Sequence, residues 1–262
     1  DVNASLLDVL GEQMAITTDA TVEVRTDKDD VVLDDGTDSI HVDWVLASLG
    51  RRPNIEGLGL DTLGVALDAR GVPVFDPATL RLAELPIYLV GDVNGLKPLM
   101  HEAADEGRIA AHHALHPHSD CLARRAPMGI VFTEPGAGRV GLAHHELPES
   151  GVVVGRSDYS RQARALMAGR NAGLLHLYAD AHDGRILGAE LVAPDAEHLA
   201  HLLAWSIQQD MTVNQMLQMP LYHPTVEEGL RAALQEARRE LGQKREQPDL
   251  PLCRKAIDWA LG

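Results

Sequence analysis

Two residues with acid–base capacity stand five positions apart in the run Tyr222-His223-Pro224-Thr225-Val226-Glu227-Glu228-Gly229-Leu230. An imidazole titrates near neutral pH, and a carboxylate at its side would make His223 a group suited to moving protons, with Glu228 as its partner. Pro224 fixes its own backbone, biases His223 towards an extended conformation and keeps it out of the helix that follows. Thr225, with Glu228 three residues on, also spells the Thr-x-x-Glu capping box of a helix start. Local spacing therefore leaves two readings open: an acid–base pair, or a well-capped helix with a surface histidine.

A second chemical stretch lies upstream. Residues 87–90 are a four-residue apolar run ending in Gly91-Asp92. That pattern predicts a buried strand of parallel type whose carboxyl end presents an acid at a ligand crevice. No cation is visible as a partner for Asp92, and the plainer reading is an aspartate in a turn. Leu99, Met100 and His101 then open a helix over 99–111, whose first N–H groups would face whatever lies before them. His112, His113, His116 and His118 follow no zinc spacing and read as a helix end trailing into a loop at Pro117. Cys121 and Cys253 match no metal or redox spacing, so no metal ligands are assigned. Gly136-Ala137-Gly138 looks like a phosphate loop, but Pro135 precedes it and a strand-like Val140 follows, so that reading is rejected.

The elements that must position these groups can be read in order. Residues 1–14 predict a helix with Leu6, Leu7, Leu10 and Met14 on one face. Strands are expected at 20–25, 31–33 and 40–47, with a turn at Asp34-Asp35-Gly36 and another at Gly50-Arg51-Arg52-Pro53-Asn54. A hairpin turns at 68–71, and a linker is expected over 117–127. Beyond it lie strands at 128–135, 152–154, 174–179 and 186–192, the last two joined by a hairpin loop. One helix shows Leu199, Leu202, Leu203 and Ile207 on a face. The next opens on a Thr212/Gln215 capping box with a Met211/Met216 staple. A third, from Val226, buries Leu230, Ala233 and Leu234; residues 243–248 end the domain and a short terminal helix follows.

Composition bounds these readings. The chain of 262 residues is long enough for two domains, and 45% apolar residues suit a globular protein. A formal net charge of −16 argues against nucleic acid and anionic membrane as partners. Neither a spanning segment nor a signal peptide is visible. Two cysteines suit a reducing, cytoplasmic setting. The chain opens on Asp1 without an initiator methionine, which predicts a fragment or a processed chain.

The stretch His223-Pro224-Thr225-x-x-Glu228 resembles the C-terminal signature of the flavin-dependent pyridine nucleotide–disulfide oxidoreductases. The run Asp43-x-Val45-Leu46-x-x-x-Gly50-Arg51-x-Pro53-Asn54, the Gly91-Asp92 pair and Phe132-Thr133-x-Pro135 are similar to further stretches of that family, in family order up to about residue 243. The resemblance implies α/β and α+β architecture: a partial FAD/NAD(P)-binding region followed by a complete α+β dimerisation domain with an antiparallel sheet and helices. Its implied domains are 1–50 as the end of the NAD-binding domain, 51–120 as the last FAD-binding segment, 126–243 for dimerisation and 244–262 as a tail.

It further implies that His223 is the proton partner of a redox-active thiol and that Glu228 orients it. Gly91 and Asp92 would meet the ribityl chain of FAD, and the backbone at Leu99, Met100 and His101 would meet the flavin ring. Met100 departs from the small residue that most relatives carry. The implied partners are a second copy, as a homodimer, and a lipoyl-bearing protein of a 2-oxo acid dehydrogenase complex. The implied chemistry is dithiol oxidation through FAD to NAD+. Apart from the rejected run at Gly136–Gly141, no Gly-x-Gly-x-x-Gly turn of the family and no Cys-x4-Cys pair occurs in this sequence, so the fragment is expected to be inactive and to retain neither cofactor. The alternatives are a stand-alone dimerisation or regulatory module, and a glutathione reductase-like enzyme.

Overall fold

The computed structural model describes residues 1–27, 30–242 and 250. The expected tail helix, Cys253 and the polar stretch over 243–248 lie outside the described residues. The chain forms two compact units, one of Asp1–Thr18 joined by the chain from Arg125 onward, the other of Asp19–Arg124. Each is described by itself.

Helix α1 (Val2–Gly11) belongs to the first unit. It buries Val2 and half-buries Leu6 and Leu10, while Leu7 and Met14 are exposed. The apolar stripe thus runs through positions 2, 6 and 10 and not through Leu7 and Met14. The helix stops at Gly11, so Met14 never shares its face.

The second unit starts with an antiparallel meander of β1 (Glu23–Asp27), β2 (Asp30–Asp34) and β3 (Ser39–Val42). Asp34 and Asp35 make the expected turn: Asp34 accepts from the Gly36 N–H and the Ser39 hydroxyl, Asp35 from the N–H groups of Thr37 and Asp38. These donors hold both carboxyls below their ordinary pKa, the Ser39 hydroxyl leading for Asp34 and the Asp38 N–H for Asp35. The strand expected over 40–47 ends at Val42. Among the described residues no strand pairs with 43–47, and Trp44 stands 90% exposed. A strand is made by its neighbour, and an apolar run cannot supply one.

The hairpin at 68–71 forms as expected, closed by Gly71 N–H to the Asp68 carbonyl at 2.9 Å and with Gly71 at φ +79°. The run over 87–90 departs from the reading above. Tyr88 bridges Arg81 in an antiparallel hairpin, and Ile87, Tyr88 and Leu89 are only half-buried. A parallel strand needs flanking parallel strands to bury it, and this unit's described strands are all antiparallel. A single turn of 3-10 helix (Gly91–Asn94) leads to α2 (Met100–Leu115).

The rest of the first unit is a five-stranded antiparallel sheet in the order β4-β5-β8-β7-β6, from β4 (Met128–Val131), β5 (Gly136–Gly141), β6 (Val152–Asp158), β7 (Leu174–Asp180) and β8 (Ile186–Ala193). The glycine-rich run rejected as a phosphate loop is β5. Helix α3 (Ala163–Ala168) follows β6, and α4 (Ala196–Gln208), α5 (Val213–Leu217) and α6 (Gly229–Glu240) follow β8.

The core lies between one sheet face (Leu175, Leu177, Leu191) and these helices (Leu199, Leu203, Leu230, Leu234). The capping box of α5 is as predicted: Thr212 N–H donates to Gln215 Oε1 at 2.8 Å and Gln215 N–H to Thr212 Oγ1 at 3.2 Å. Helix α6 packs on β6 so closely that a Cβ on Gly155 would lie 2.0 Å from the Ala233 carbonyl oxygen. Gly155→Ala should therefore destabilise this unit by about 1–3 kcal/mol, a fall of several degrees in a thermal melt. An unchanged melting temperature would show that α6 can retreat at no cost.

Candidate functional site

The turn that carries His223 is built by the start of α6. Val226, Leu230 and Ala233 are buried, which fixes the direction in which the helix leaves the core. One 3-10 turn (Val226–Glu228) precedes α6, and its third residue is Glu228. Glu228 meets His223 Nδ1 at 2.9 Å through Oε2 and 3.1 Å through Oε1. Oε2 also accepts the Thr225 N–H at 3.3 Å, and the Thr225 hydroxyl donates to the Tyr222 carbonyl at 2.8 Å.

The two sequence readings are thus not alternatives. A carboxylate has several lone pairs, and Glu228 closes the helix start and holds the imidazole together. Holding Nδ1 against a carboxylate assigns the ring proton to Nδ1 and leaves the Nε2 lone pair free to accept one. His223 is 71% exposed at its side chain, so this nitrogen is open to a reactant, whereas Glu228 is 25% exposed. The peptide bond between His223 and Pro224 is cis.

In the other unit, Asp92 sits in the 3-10 turn before α2 and is about half exposed. It does have a cation: Arg51 is hydrogen-bonded to its Oδ2. The expectation that Asp92 lacks a partner is corrected, since 41 residues separate the pair and only folding brings them together. Gly50, Arg51, Arg52, Asp92, Val93, Gly95 and Pro98 line one cavity of about 450 Å³. Leu99 stands at the start of α2 without a side-chain cap, and Met100 and His101 form its first residues, Met100 being 91% exposed. Uncapped N–H groups at the start of a 16-residue helix are open to an acceptor.

Gly91 is buried with φ +77°, and its N–H donates to Glu106 Oε2 at 2.7 Å. Sequence reading missed Glu106 altogether. Its carboxylate also accepts from Asn94 Nδ2 at 2.6 Å and Arg124 Nη2 at 3.1 Å, and it is 1% exposed. Glu106 therefore fixes the turn on which Asp92 is mounted. The signal was present, because Glu102 and Glu106 share the helical face that buries Ile109, Ala110 and His113. Two acids on a buried stripe announce a partner elsewhere. Lys97 and Arg124 supply it for Glu102, at 3.3 and 3.5 Å.

His112, His113 and His116 lie at the end of α2, where His112 Nε2 meets the Ser119 hydroxyl at 3.0 Å. Among the described residues no three His, Cys, Asp or Glu side chains are grouped to hold a metal. No helix among them is long and apolar enough to cross a membrane.

The fold meets known proteins along both units. Residues 5–107 match the pyridine nucleotide-disulphide oxidoreductase family and residues 128–234 its dimerisation domain. Dihydrolipoyl dehydrogenase 3 of Haloarcula marismortui is 32% identical over 205 residues, 78% of this chain and 43% of that protein. Dihydrolipoyl dehydrogenase of Thermus scotoductus is 34% identical over 198 residues, 75% of this chain and 42% of that protein. The chain thus spans less than half the length of these curated relatives.

Among solved structures, LpdA from Mycobacterium tuberculosis superposes with a TM-score of 0.76 at 27% identity, over 90% of this chain and 52% of that one. The HOCl-induced flavoprotein disulfide reductase RclA from Escherichia coli gives 0.79 at 24% identity, over 90% and 55%, a likeness of fold alone. The match over residues 5–107 and the match to the same family's dimerisation domain over residues 128–234 show that the chain belongs to the pyridine nucleotide-disulphide oxidoreductase family.

Proposed function

We propose that this chain is the C-terminal half of an FAD-dependent dithiol oxidoreductase of the dihydrolipoyl dehydrogenase type. The whole enzyme would convert dihydrolipoamide and NAD+ to lipoamide, NADH and a proton. The observation that carries this reading is the contact of His223 Nδ1 with Glu228 at 2.9 Å beside an exposed imidazole. Glu228 keeps the proton on Nδ1, and Nε2 takes the proton of the substrate thiol as it attacks a disulfide. Once the imidazole is protonated, the same carboxylate stabilises its charge.

Residues 1–50 are assigned to the end of the NAD-binding domain, 51–120 to the last FAD-binding segment and 126–243 to dimerisation, so that the enzyme works as a homodimer. Asp92 would accept a sugar hydroxyl of FAD with the lone pairs that Arg51 leaves free. Gly91 gives the turn its positive φ, and the backbone at Leu99, Met100 and His101 would donate to the ring. Bound flavin supplies the electron relay between dithiol and nicotinamide. A lipoyl-bearing protein is the proposed partner and the cytoplasm the proposed compartment. The fragment, with His223 and Asp92 but no redox disulfide, is proposed to be inactive and colourless.

The test is a steady-state assay of the full-length enzyme. Dihydrolipoamide should drive NADH formation, with glutathione a poor substitute. NADPH-dependent reduction of glutathione disulfide, without NAD+ reduction by dihydrolipoamide, would replace this substrate assignment.

A further inference from the structure

The turn over 222–228 is held from below by one short segment of another element. Between β6 and α3 the chain makes a 3-10 turn (Tyr159–Arg161), and Gln162 follows it as the first cap of α3. The Gln162 amide faces two ways. Its Oε1 accepts the Ala165 N–H at 2.7 Å, which closes the first turn of α3. Its Nε2 donates to the Thr225 carbonyl at 2.6 Å, 63 residues away. The next carbonyl, of Val226, accepts from the Tyr159 hydroxyl at 3.5 Å. Tyr159 is fully buried, and a Cβ on Gly229 would lie 2.4 Å from its hydroxyl oxygen, so ring and α6 backbone touch. Two successive carbonyls of the His223 turn are thus tied to two residues of one neighbouring turn.

We propose that Gln162 is a positioning residue for the His223–Glu228 pair, an inference that rests on the acid–base reading of His223. Thr225 is the hub of the argument. Its carbonyl is held by Gln162, and its N–H is held by the carboxylate oxygen that also meets His223 Nδ1. A side-chain amide cannot lose its proton, so this tether keeps its strength over the whole range in which an imidazole titrates. Releasing the carbonyl frees the Thr225–Val226 peptide to rotate, and through the Thr225 backbone it loosens the neighbouring N–H that Glu228 accepts. Glu228 then divides its time between His223 and solvent, and the ring proton is no longer held on Nδ1. Other charges face the turn as well: Glu227 lies beside Glu228, with His198 of α4 at 3.9 Å from it. These groups are the same in every variant compared.

Gln162→Glu keeps the acceptor for Ala165 N–H and removes the donor to Thr225 while adding a charge, so it is read through the tautomer of His223. Gln162→Ala removes both. The chain itself can be labelled with 15N in its 13 imidazoles and titrated by NMR, the His223 signals being assigned by their loss in His223→Gln. In the parent chain the neutral ring should carry its proton on Nδ1. Glu228→Gln should move it towards the Nε2–H form. Both Gln162 variants should shift the His223 tautomer part of the way in the same direction, and Tyr159→Phe should shift it less.

Two results would overturn the proposal, and they are distinguishable. If Glu228→Gln changes His223 and neither folded Gln162 variant does, the tether has no positioning role while the pair stands. If Glu228→Gln itself leaves the tautomer unchanged, the acid–base reading falls with it. Unfolding of Gln162→Ala alone would be visible as collapse of all imidazole dispersion, in which case Gln162→Glu decides.

Discussion

His223→Gln in the full-length enzyme should lower kcat for dithiol oxidation by about 10²–10⁴-fold while FAD content stays unchanged. That loss corresponds to about 2.7–5.4 kcal/mol of barrier. Glutamine fills similar space and keeps a polar end, but it cannot accept a proton. FAD content is the control, because Asp92 and the start of α2 belong to a different compact unit from His223. Glu228→Gln should cost less, since the imidazole remains and only its orientation and charge partner are lost. It should also weaken the helix start by about 1 kcal/mol, because the same carboxylate oxygen accepts the Thr225 N–H.

The family resemblance adds a sharper arm, in which the histidine would serve the disulfide of the partner subunit. Mixing inactive His223→Gln subunits with inactive subunits that lack a redox cysteine should restore activity. In each heterodimer one of the two sites then combines an intact disulfide with an intact histidine. Demonstrated heterodimers that stay inactive would place the histidine within its own chain or outside catalysis.

What the sequence made legible was local. The capping box at Thr212 and Gln215 pairs residues three apart, and no distant residue competes for either group. His223 and Glu228 are five apart on either side of a helix start, so their spacing already put them within reach. The α/β and α+β architecture, with an antiparallel dimerisation sheet, was implied by the family resemblance, which itself rests on short local stretches such as His223-Pro224-Thr225 and Gly91-Asp92. What stayed hidden was pairing at a distance. Arg51 and Asp92 look like two turn residues until the chain folds them together. Trp44, Val45 and Leu46 make an apolar run that suits a strand, yet a ladder is a property of two segments. The run over 87–90 was read as buried because it is apolar, whereas its partner turned out to be the antiparallel Arg81 segment. Leu7 and Met14 were assigned to a face by composition, but the end of α1 at Gly11 decided which residues could share one. Glu106 was overlooked for a different reason, since charged helix residues are solvated far more often than they are enclosed.

Glu106 is also where the largest loss of order is expected. Glu106→Ala removes a nearly inaccessible carboxylate that accepts from the Gly91 N–H, the Asn94 amide and the Arg124 guanidinium. All three donors are left behind, and Arg124, 25% exposed at its side chain, keeps only the longer contacts to Glu102 at 3.5 Å and the Pro77 carbonyl at 3.4 Å. Removing the acceptor of several buried donors, with Arg124 still facing Glu102, should cost about 2–4 kcal/mol. Glu106→Gln keeps the volume but turns an NH₂ group towards at least one donor, so about 1–3 kcal/mol is expected for it. A global melt would blend two units that need not unfold together. Amide hydrogen exchange reads the effect locally. In Glu106→Ala the Gly91 amide and the amides of α2 should exchange about 10²–10³-fold faster, while those of β7 and β8 keep their rates. Unchanged protection in α2 would mean that solvent replaces the carboxylate without loss, and that the Asp92 turn is held by something other than Glu106. If protection falls as expected, the same substitution in the full-length enzyme should weaken FAD more than Asp92→Ala does. Removing Asp92 deletes one contact of about 0.5–1.5 kcal/mol, whereas removing Glu106 releases the turn that sets where Asp92 points.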